Sequence, residues 1–323
     1  MVAATLRAVR EAPALPGTMR TMTMPTARPV LVVRAPAKVN LTLEILGKRP
    51  DGFHALRSVF AALDLHDRLA VHPANDIGIE CDLPELSTQA NLAWRAADAL
   101  RRDSGTRTGV SMSLKKRIPL EAGLGGGSAD AAAALVACNL MWNLGYSRER
   151  MREIGATVGS DVPFFLGDGP LALVTGRGEV LHPLAVPPAL RAAGIVLVKP
   201  PVGISAGAVY RAYPSSRWGG DNDRTTPWVR AAHGAPGPDA LPLPFNDLEP
   251  VALDVAPEAG AAKAAMIAAG APHAVMSGSG STFFACLDAV LAARVAARVR
   301  EMPVAGGWFV AVTRLGDLAH RPE

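Results

Sequence analysis

The chain has 323 residues, of which 49% are hydrophobic and 19% are charged, and it carries a net charge of +4. This composition excludes a mainly disordered protein, and the length suffices for two domains that each bury an apolar core. The basic residues are scattered, which argues against a nucleic-acid-binding surface and leaves only a mild attraction for anionic ligands. No apolar run reaches the roughly 18–20 residues that a membrane span needs.

The cysteines and the first residues indicate a cytoplasmic protein. Cys81, Cys138 and Cys286 are far apart and odd in number, which is typical of free thiols in a reducing compartment rather than of disulfides or a zinc site. Residues 1–29 contain four arginines, a single acid and no uninterrupted apolar stretch, so a secretory signal is not expected. Methionines at 19, 22 and 24 favour a start codon further along the chain; a disordered leader is the alternative, and a targeting peptide is the least favoured.

The first half of the chain predicts a mixed domain over residues 30–188. Residues 30–47 are rich in β-branched side chains around Pro36, which predicts two strands separated by a bend. A Pro-Asp-Gly turn follows at 50–52. Apolar periodicity and turn signals then predict strands within 56–73, a helix over 91–103, a strand over 109–119, helices over 128–144 and 147–157, and a short helix with a hairpin over 159–181.

The second half predicts a ferredoxin-like domain over residues 189–318. Prolines at 183, 187 and 188 mark the boundary, and 214–240 has the Pro/Gly-rich composition of a flexible insert. The remaining segments predict a strand at 195–198, a helix over 251–269, two strands around a Ser/Gly cluster, a helix over 289–300 and a strand at 308–313. This order of elements is typical of the ferredoxin-like α+β topology.

The strongest chemical signal is a glycine-rich loop between a predicted strand and a predicted helix. Gly123, Gly125, Gly126 and Gly127 are followed by Ser128. Such glycines bring backbone N–H groups close to a ligand, and the helix N-terminus adds partial positive charge, so the loop predicts a polyphosphate cradle. It is not a Walker A loop, because no Lys-Ser/Thr pair follows, and the dinucleotide fingerprint fits poorly. An ordinary glycine-rich turn is the less favoured alternative.

Three weaker signals accompany this loop. Lys38 lies among apolar residues on a predicted strand, and a buried ammonium group there would need an anion as its partner. The alternative is that the side chain of Lys38 reaches solvent from the end of the strand. A second Gly/Ser cluster at 275–285 could close over the same phosphates, or could be a plain flexible turn. Asp161 is a candidate base, with a role as a helix N-cap as the alternative.

Together these motifs resemble the GHMP kinases, a family of small-molecule kinases. The resemblance depends on APAKVNL at 35–41, on a proline followed by GLGGGS that ends at Ser128, and on the late SGSG, and it spans about residues 30–315. AKVNLTLEILGKRPDGFHALRSVF, GSDVPFFL and FNDLEP are similar to the branch that phosphorylates a cytidine diphosphate-linked methylerythritol for isoprenoid precursors. The resemblance implies an α+β fold in two domains, a nucleotide-binding one and a ferredoxin-like one, with the active site between them.

The resemblance also implies roles for individual residues. Asp161 would take the proton of the acceptor hydroxyl, and Lys38 would keep that carboxylate ionised and offset charge on the phosphoryl group. Asn40 and His54 would hold the acceptor, and Phe53 and Tyr210 would sandwich its cytosine. ATP would bind to Pro119, Gly123, Leu124, Gly125, Gly126, Gly127 and Ser128, with Asn91 framing the adenosine pocket.

ATP would be the co-substrate and Mg²⁺ its counter-ion, held mostly by phosphates and water, with Ser128 and Asp161 as the candidate protein ligands. ISAGAVYRAY departs from the family pattern at Ser205 and Ala206, where the Thr-Pro often found there is missing, so no acceptor contact is assigned to these two residues. The alternatives are another GHMP kinase, such as homoserine or mevalonate kinase, and a non-catalytic nucleotide sensor. No nucleic acid or membrane partner is expected, and the protein is expected to be a monomer or a homodimer.

Overall fold

The computed structural model describes residues 30–217, 223–234 and 241–318. The predicted leader, residues 1–29, therefore lies outside the described residues. The elements of the first half, in chain order, are β1 (Leu31–Lys48), β2 (His54–Ala74), β3 (Gly78–Cys81), α1 (Leu92–Ser104), β4 (Gly109–Lys115), α2 (Gly126–Met141), α3 (Arg148–Val158), α4 (Val162–Phe165), β5 (Leu171–Thr175), β6 (Val180–Pro183) and α5 (Pro188–Ala192).

The second half continues with shorter elements. They are β7 (Gly194–Lys199), α6 (Ala206–Ala212), α7 (Thr226–Ala232), β8 (Phe245–Asn246), α8 (Glu249–Val255), α9 (Gly260–Ala268), β9 (Val275–Met276), β10 (Phe283–Leu287), α10 (Ala289–Glu301) and β11 (Phe309–Thr313). None of the helices in the described ranges is both long and apolar enough to cross a membrane.

The N-terminal sheet is built around the long antiparallel hairpin of β1 and β2. Its strands run in the order β3-β4-β2-β1-β8, and β5 pairs with β2 and with β6. Helix α2 packs against β1 and β2, and α1 packs against α2. Because the first turn of α2 therefore lies beside β1, the glycine loop that precedes α2 is brought next to Lys38.

The prediction of two strands within 30–47 is wrong, because β1 is continuous. The strand register against β2 shifts between Pro36 and Lys38 and again between Asn40 and Thr42. Proline has no N–H to donate to a ladder, so the chain bulges there without ending the strand. Every residue from Ala35 to Ile45 is buried, since β1 is covered on both faces.

The C-terminal sheet confirms the predicted ferredoxin-like topology. Its order is β11-β7-β10-β9, and every neighbouring pair is antiparallel. The single helix predicted over 251–269 is wrong: a 3₁₀ turn at Pro257–Ala259 separates α8 from α9. Pro257 cannot donate a helical hydrogen bond, so the helix ends before it.

The two halves share both a sheet and a core. Strand β8 comes from the predicted second domain, yet it pairs in parallel with β1 of the first. Val39 of β1 belongs to the same apolar cluster as Leu197 of β7 and Phe284 of β10. The boundary at 188/189 stays a prediction, and the two halves pack directly on each other.

Part of the predicted insert at 214–240 is a packed element, which corrects the expectation of a loop. Residues 218–222 and 235–240 lie outside the described residues, but α7 is present and its Trp228 is only 1% exposed. The buried carboxylate of Glu44 accepts hydrogen bonds from Arg57 Nε at 2.6 Å, from the amide of Arg224 at 2.7 Å and from Thr225 Oγ1 at 3.0 Å. This carboxylate fixes the start of α7 to the N-terminal sheet.

Candidate active site

A cavity of about 1190 Å³ lies between the two halves of the chain. Its wall includes residues from β1, the glycine loop, the residues before α4, helix α6 and the turn between β9 and β10. The predicted site residues that line it are Lys38, Asn40, Phe53, His54, Pro119, Gly123, Leu124, Gly125, Gly126, Gly127, Ser128, Asp161 and Tyr210. The fold thus brings together residues that are widely separated in the sequence.

The glycine loop ends at the N-terminus of α2. Gly125 has φ +71° and is the N-cap, and no side chain caps this end of the helix. The first-turn amides of Gly126, Gly127 and Ser128 therefore have no side-chain partner at the cap, and all three residues line the cavity. Together with the helix dipole, they provide a binding surface for a negatively charged phosphate group.

The second Gly/Ser cluster docks on the first. The Ser277 hydroxyl donates to the carbonyl of Gly123 at 2.9 Å, and the amides of Ser281 and Thr282 donate to the carbonyls of Glu121 and Ala122 at 3.3 Å. Gly123 has φ +70°, and a Cβ at this position would lie 1.9 Å from the carbonyl oxygen of Ser277. The close approach of the two loops therefore requires glycine at 123.

Hydrogen bonds from the FNDLEP segment at 245–250 hold the second Gly/Ser cluster, the Ser/Gly turn between β9 and β10, in place. The side-chain amide of Asn246 donates to the carbonyls of Met276 at 2.7 Å and Gly278 at 2.6 Å. Glu249 accepts the amide of Met276 at 2.9 Å. The sequence analysis used this motif only for the family resemblance and missed its role, because these partners are distant in the sequence.

Lys38 and Asp161 form the ion pair of the site. Lys38 is almost fully buried on β1, and its Nζ lies 3.5 Å from Oδ2 of Asp161 and 4.7 Å from the centre of the Phe60 ring. Asp161 precedes α4 but makes no capping hydrogen bond, so the alternative role as an N-cap is wrong. Its side chain is 30% exposed and lines the cavity, where the carboxylate can accept a proton.

Asn40 fixes the position of the ammonium group of Lys38. Its Oδ1 accepts from Lys38 Nζ at 2.7 Å, and its Nδ2 donates to Ser58 Oγ at 3.0 Å. The backbone amide of Asn40 also donates to Ser277 Oγ at 3.4 Å. Asn40 therefore connects Lys38, strand β2 and the Ser/Gly turn.

Aromatic rings gather at the other end of the cavity. The rings of His54 and Tyr210 lie 5.5 Å apart with a 32° tilt, and the ring of Tyr213 is 6.2 Å from that of His54. Phe53 is 49% exposed, which is unusual for such a large apolar side chain. Burial and the nearby charge of Lys48 lower the pKa of His54, which favours the neutral imidazole, and burial raises the pKa of the Tyr210 hydroxyl.

Asn91 does not line the cavity. Its Oδ1 accepts the amide of Ala93 at 2.9 Å and so caps α1, and its Nδ2 donates to the carbonyl of Leu86 at 2.9 Å in the 3₁₀ turn before the helix. The next residue, Leu92, lines the cavity instead. A direct contact of Asn91 with adenosine stays a prediction, whereas its capping role follows from the hydrogen bonds.

A buried ion cluster lies beneath the glycine loop and was missed from the sequence. Lys116 Nζ donates to Asp67 at 2.5 Å and to Asp130 at 2.7 Å, and Oδ1 of Asp130 is buried without a partner. Burial raises the pKa of Asp130 to about 7. A lysine one residue before the RIP segment, in a chain with six lysines, is the signal that could have indicated this cluster.

Comparison with known proteins agrees with this geometry. Residues 91–169 match the model of the GHMP kinases N terminal domain, and residues 238–305 match that of the GHMP kinases C terminal domain. The 4-diphosphocytidyl-2-C-methyl-D-erythritol kinase of Pelotomaculum thermopropionicum is 46% identical over 84% of this chain and 94% of its own length. The enzyme of the same name from Moorella thermoacetica is 42% identical over 84% and 95% of the two chains.

Solved structures show the same similarity. A crystal structure of 4-(cytidine 5'-diphospho)-2C-methyl-D-erythritol kinase has a TM-score of 0.71 and 35% identity, and it covers 88% of this chain and 100% of its own. A homoserine kinase from Cytophaga hutchinsonii has a TM-score of 0.69 but only 17% identity over 92% and 98% of the two chains. The second likeness shows the shared fold alone.

Proposed function

The chain belongs to the GHMP kinases and, within them, to the 4-diphosphocytidyl-2-C-methyl-D-erythritol kinases, and from this membership we propose how its residues carry out the reaction. The enzyme transfers a phosphoryl group from ATP to the 2-hydroxyl of 4-diphosphocytidyl-2-C-methyl-D-erythritol in the methylerythritol phosphate route to isoprenoids. The observation that carries the residue assignment is the Lys38–Asp161 pair, which faces the same cavity as the glycine loop.

The glycine loop binds the phosphates of ATP. Amides of Gly126, Gly127 and Ser128 donate to phosphate oxygens, and Pro119 and Leu124 complete the wall of this subsite. Lys116 lies close by, since a Cβ on Gly126 would approach its Nζ to 3.3 Å. Because Lys116 is paired with Asp67 and Asp130, the positive potential at this subsite comes from the backbone amides and the helix dipole, without a Walker lysine.

Asp161 accepts the proton of the acceptor hydroxyl. Lys38 faces the same point and compensates charge that develops on the transferring phosphoryl group. Phosphoryl transfer depends mostly on positioning and on electrostatic stabilisation, so the fixed geometry of Asn40, Lys38 and Asp161 supplies most of what the protein contributes.

Mg²⁺ accompanies the phosphates of ATP, and the residues present fit this arrangement. The described part of the chain contains no group of three or more His, Cys, Asp or Glu side chains that could hold a metal by itself. The Ser128 hydroxyl and the Asp161 carboxylate line the cavity and are oxygen donors of the kind that this ion accepts beside phosphates and water. When bound, the ion neutralises charge on the phosphates.

The aromatic end of the cavity holds the cytidine. Phe53 and Tyr210 stack on the cytosine, His54 donates or accepts a hydrogen bond at its edge, and Asn40 contacts the polyol near the transferred group. In this arrangement the cytosine binds at the aromatic end of the cavity, and the reacting hydroxyl of the acceptor lies at Asp161.

The reaction takes place in the cytoplasm. All three cysteines are free thiols, as a reducing compartment keeps them. The assembly as monomer or homodimer remains a prediction, as does the lack of a nucleic-acid partner.

Incubation of the purified protein with ATP, Mg²⁺ and one acceptor at a time tests this function. We expect turnover of 4-diphosphocytidyl-2-C-methyl-D-erythritol and none of homoserine or mevalonate. Turnover of either small alcohol, together with inactivity towards the cytidylyl acceptor, would overturn the substrate assignment. ATP binding without turnover of any acceptor would favour a nucleotide sensor.

A further inference from the structure

The cavity contains more cationic side chains than the ion pairs of the site use. Five cations line it, Lys38, Lys48, Lys116, Arg177 and Arg211, against the two carboxylates of Glu121 and Asp161. Lys38 is paired with Asp161, and Lys116 is paired with Asp67 and Asp130. The other three cations make no ion pair with any carboxylate in the described part of the chain.

These three cations come from separate elements around the aromatic end. Lys48 ends β1, Arg177 lies in the hairpin between β5 and β6, and Arg211 follows Tyr210 on α6. Like charges that converge on one cavity repel each other, so their common position favours an anionic ligand.

Arg177 is the best placed of the three. Its guanidinium carbon lies 5.1 Å from the centre of the Phe53 ring, and a Cβ on the next residue, Gly178, would lie 3.6 Å from Oδ1 of Asp161. The side chain of Arg177 therefore lies against the proposed platform for the base, and the residue that follows it in the chain approaches the proposed catalytic carboxylate. In a nucleoside diphosphate acceptor, the diphosphate is the part of the molecule between the base and the reacting hydroxyl.

One hydrogen bond holds the backbone of Arg177 and another holds its side chain. Its backbone amide donates to Glu179 at 2.7 Å, and its Nη2 donates to the carbonyl of Ala156 at 3.4 Å. It is half-buried, whereas Lys48 and Arg211 are exposed. A partly desolvated guanidinium that is already positioned gives a stronger hydrogen bond to phosphate than a mobile surface lysine.

We propose that Arg177 binds the diphosphate of the acceptor and thereby selects a nucleoside diphosphate over an uncharged nucleoside. This inference rests on the proposed binding of cytidine at the aromatic end. Arg177 is a specificity-determining residue, and its other guanidinium nitrogens remain available to phosphate oxygens beyond the one bonded to Ala156.

The test compares the binding of cytidine, CMP and CDP by calorimetry, with the full chain and the nucleotide site filled by a non-hydrolysable ATP analogue. The quantity of interest is the ratio of the Kd for cytidine to the Kd for CDP. We expect Arg177→Met to lower this ratio about 10-fold to 100-fold and Arg177→Lys to restore part of it, since a hydrogen bond to a charged group is lost and then partly replaced. Arg191→Met, on the exposed face of α5, should leave the ratio unchanged.

A merely structural role of Arg177 would weaken cytidine and CDP equally, so an unchanged ratio in Arg177→Met overturns the proposal. If that variant does not fold, Arg177→Gln, which removes the charge and keeps a polar side chain, gives the same comparison. Failure of the proposed function is distinguishable, because the wild-type protein would then bind neither cytidine nor CDP. Wild-type turnover with an unchanged ratio in the variants would overturn the Arg177 assignment alone.

Discussion

Nζ of Lys38 lies 3.5 Å from Oδ2 of Asp161, although β1 carries the lysine and the turn before α4 carries the aspartate. The ammonium is buried and also donates to Oδ1 of Asn40, whereas the carboxylate is partly exposed to the cavity. The pair therefore presents the carboxylate to the cavity, where an acceptor hydroxyl can reach it.

Replacement of Asp161 tests this pair most directly. Asp161→Asn removes the proton acceptor with almost no change in shape, so we expect kcat to fall about 10²-fold to 10⁴-fold while ATP binding persists. Steady-state kinetics and a nucleotide titration measure the two effects. Asp168→Asn is the matched control, because Asp168 is 56% exposed and pairs only with surface arginines. Activity of Asp161→Asn close to that of the wild type would show that another group takes the proton.

Alanine at position 123 tests the docking of the two glycine-rich segments. The new Cβ would meet the carbonyl oxygen of Ser277 in a left-handed conformation, so we expect a loss of about 2–5 kcal/mol in the free energy of unfolding and a higher KM for ATP. Gly105→Ala is the control: its φ of +68° nearly equals the +70° of Gly123, but nothing lies within 4 Å of the added atom. The control should lose only about 1–2 kcal/mol. Equal losses in chemical denaturation would argue against the contact.

Removal of the Phe53 ring tests the binding of the base. Phe53→Ala should raise the KM for the cytidylyl acceptor about 5-fold to 150-fold, as expected for a lost stacking contact, and leave the KM for ATP unchanged. Phe53→Tyr keeps the ring and should behave like the wild type. A parallel rise in both KM values for Phe53→Ala would indicate a structural role instead.

The buried cluster of Lys116, Asp67 and Asp130 predicts a pH dependence of stability. Burial raises the pKa of Asp130 from 3.8 to about 7, so the folded protein binds a proton that the unfolded chain releases. The contribution of this group to stability is therefore fully present below pH 4 and is lost as the pH rises through about 7.

Asp130→Asn cannot release that proton, so we expect the variant to gain stability relative to the wild type between pH 4 and 8, by up to about 4 kcal/mol. Chemical denaturation at several pH values measures the difference. Asp82→Asn is the comparison variant, since Asp82 is an exposed aspartate that accepts the backbone amide of Lys116, and it tests whether removal of any carboxylate near this lysine has the same effect. A difference between Asp130→Asn and the wild type that is independent of pH would contradict the raised pKa.

Local chemistry explains which elements could be predicted from the sequence. Helix α1 was predicted from apolar spacing and a capping asparagine, and helix α10 from the same kind of periodicity, because both signals act within a few residues. The predictions of a bend in β1 and of a single helix over 251–269 were wrong for the same reason. A proline removes one hydrogen-bond donor, but the surrounding packing decides whether the strand or helix continues or ends.

The residues of the active site show the same distinction between what local chemistry determines and what tertiary packing determines. The glycine loop and the order of the motifs were determined by the sequence alone, since backbone freedom and helix polarity are local properties. Only the tertiary structure decided that Asp161 faces Lys38 instead of capping α4, that Asn91 caps α1 and does not line the cavity, and that Arg177 lies over the ring of Phe53. Ion pairs and hydrogen bonds form between groups that are close in space, whatever their separation in the sequence. The pairing of β1 with β8 and the packing of the two sheets bring these groups close together.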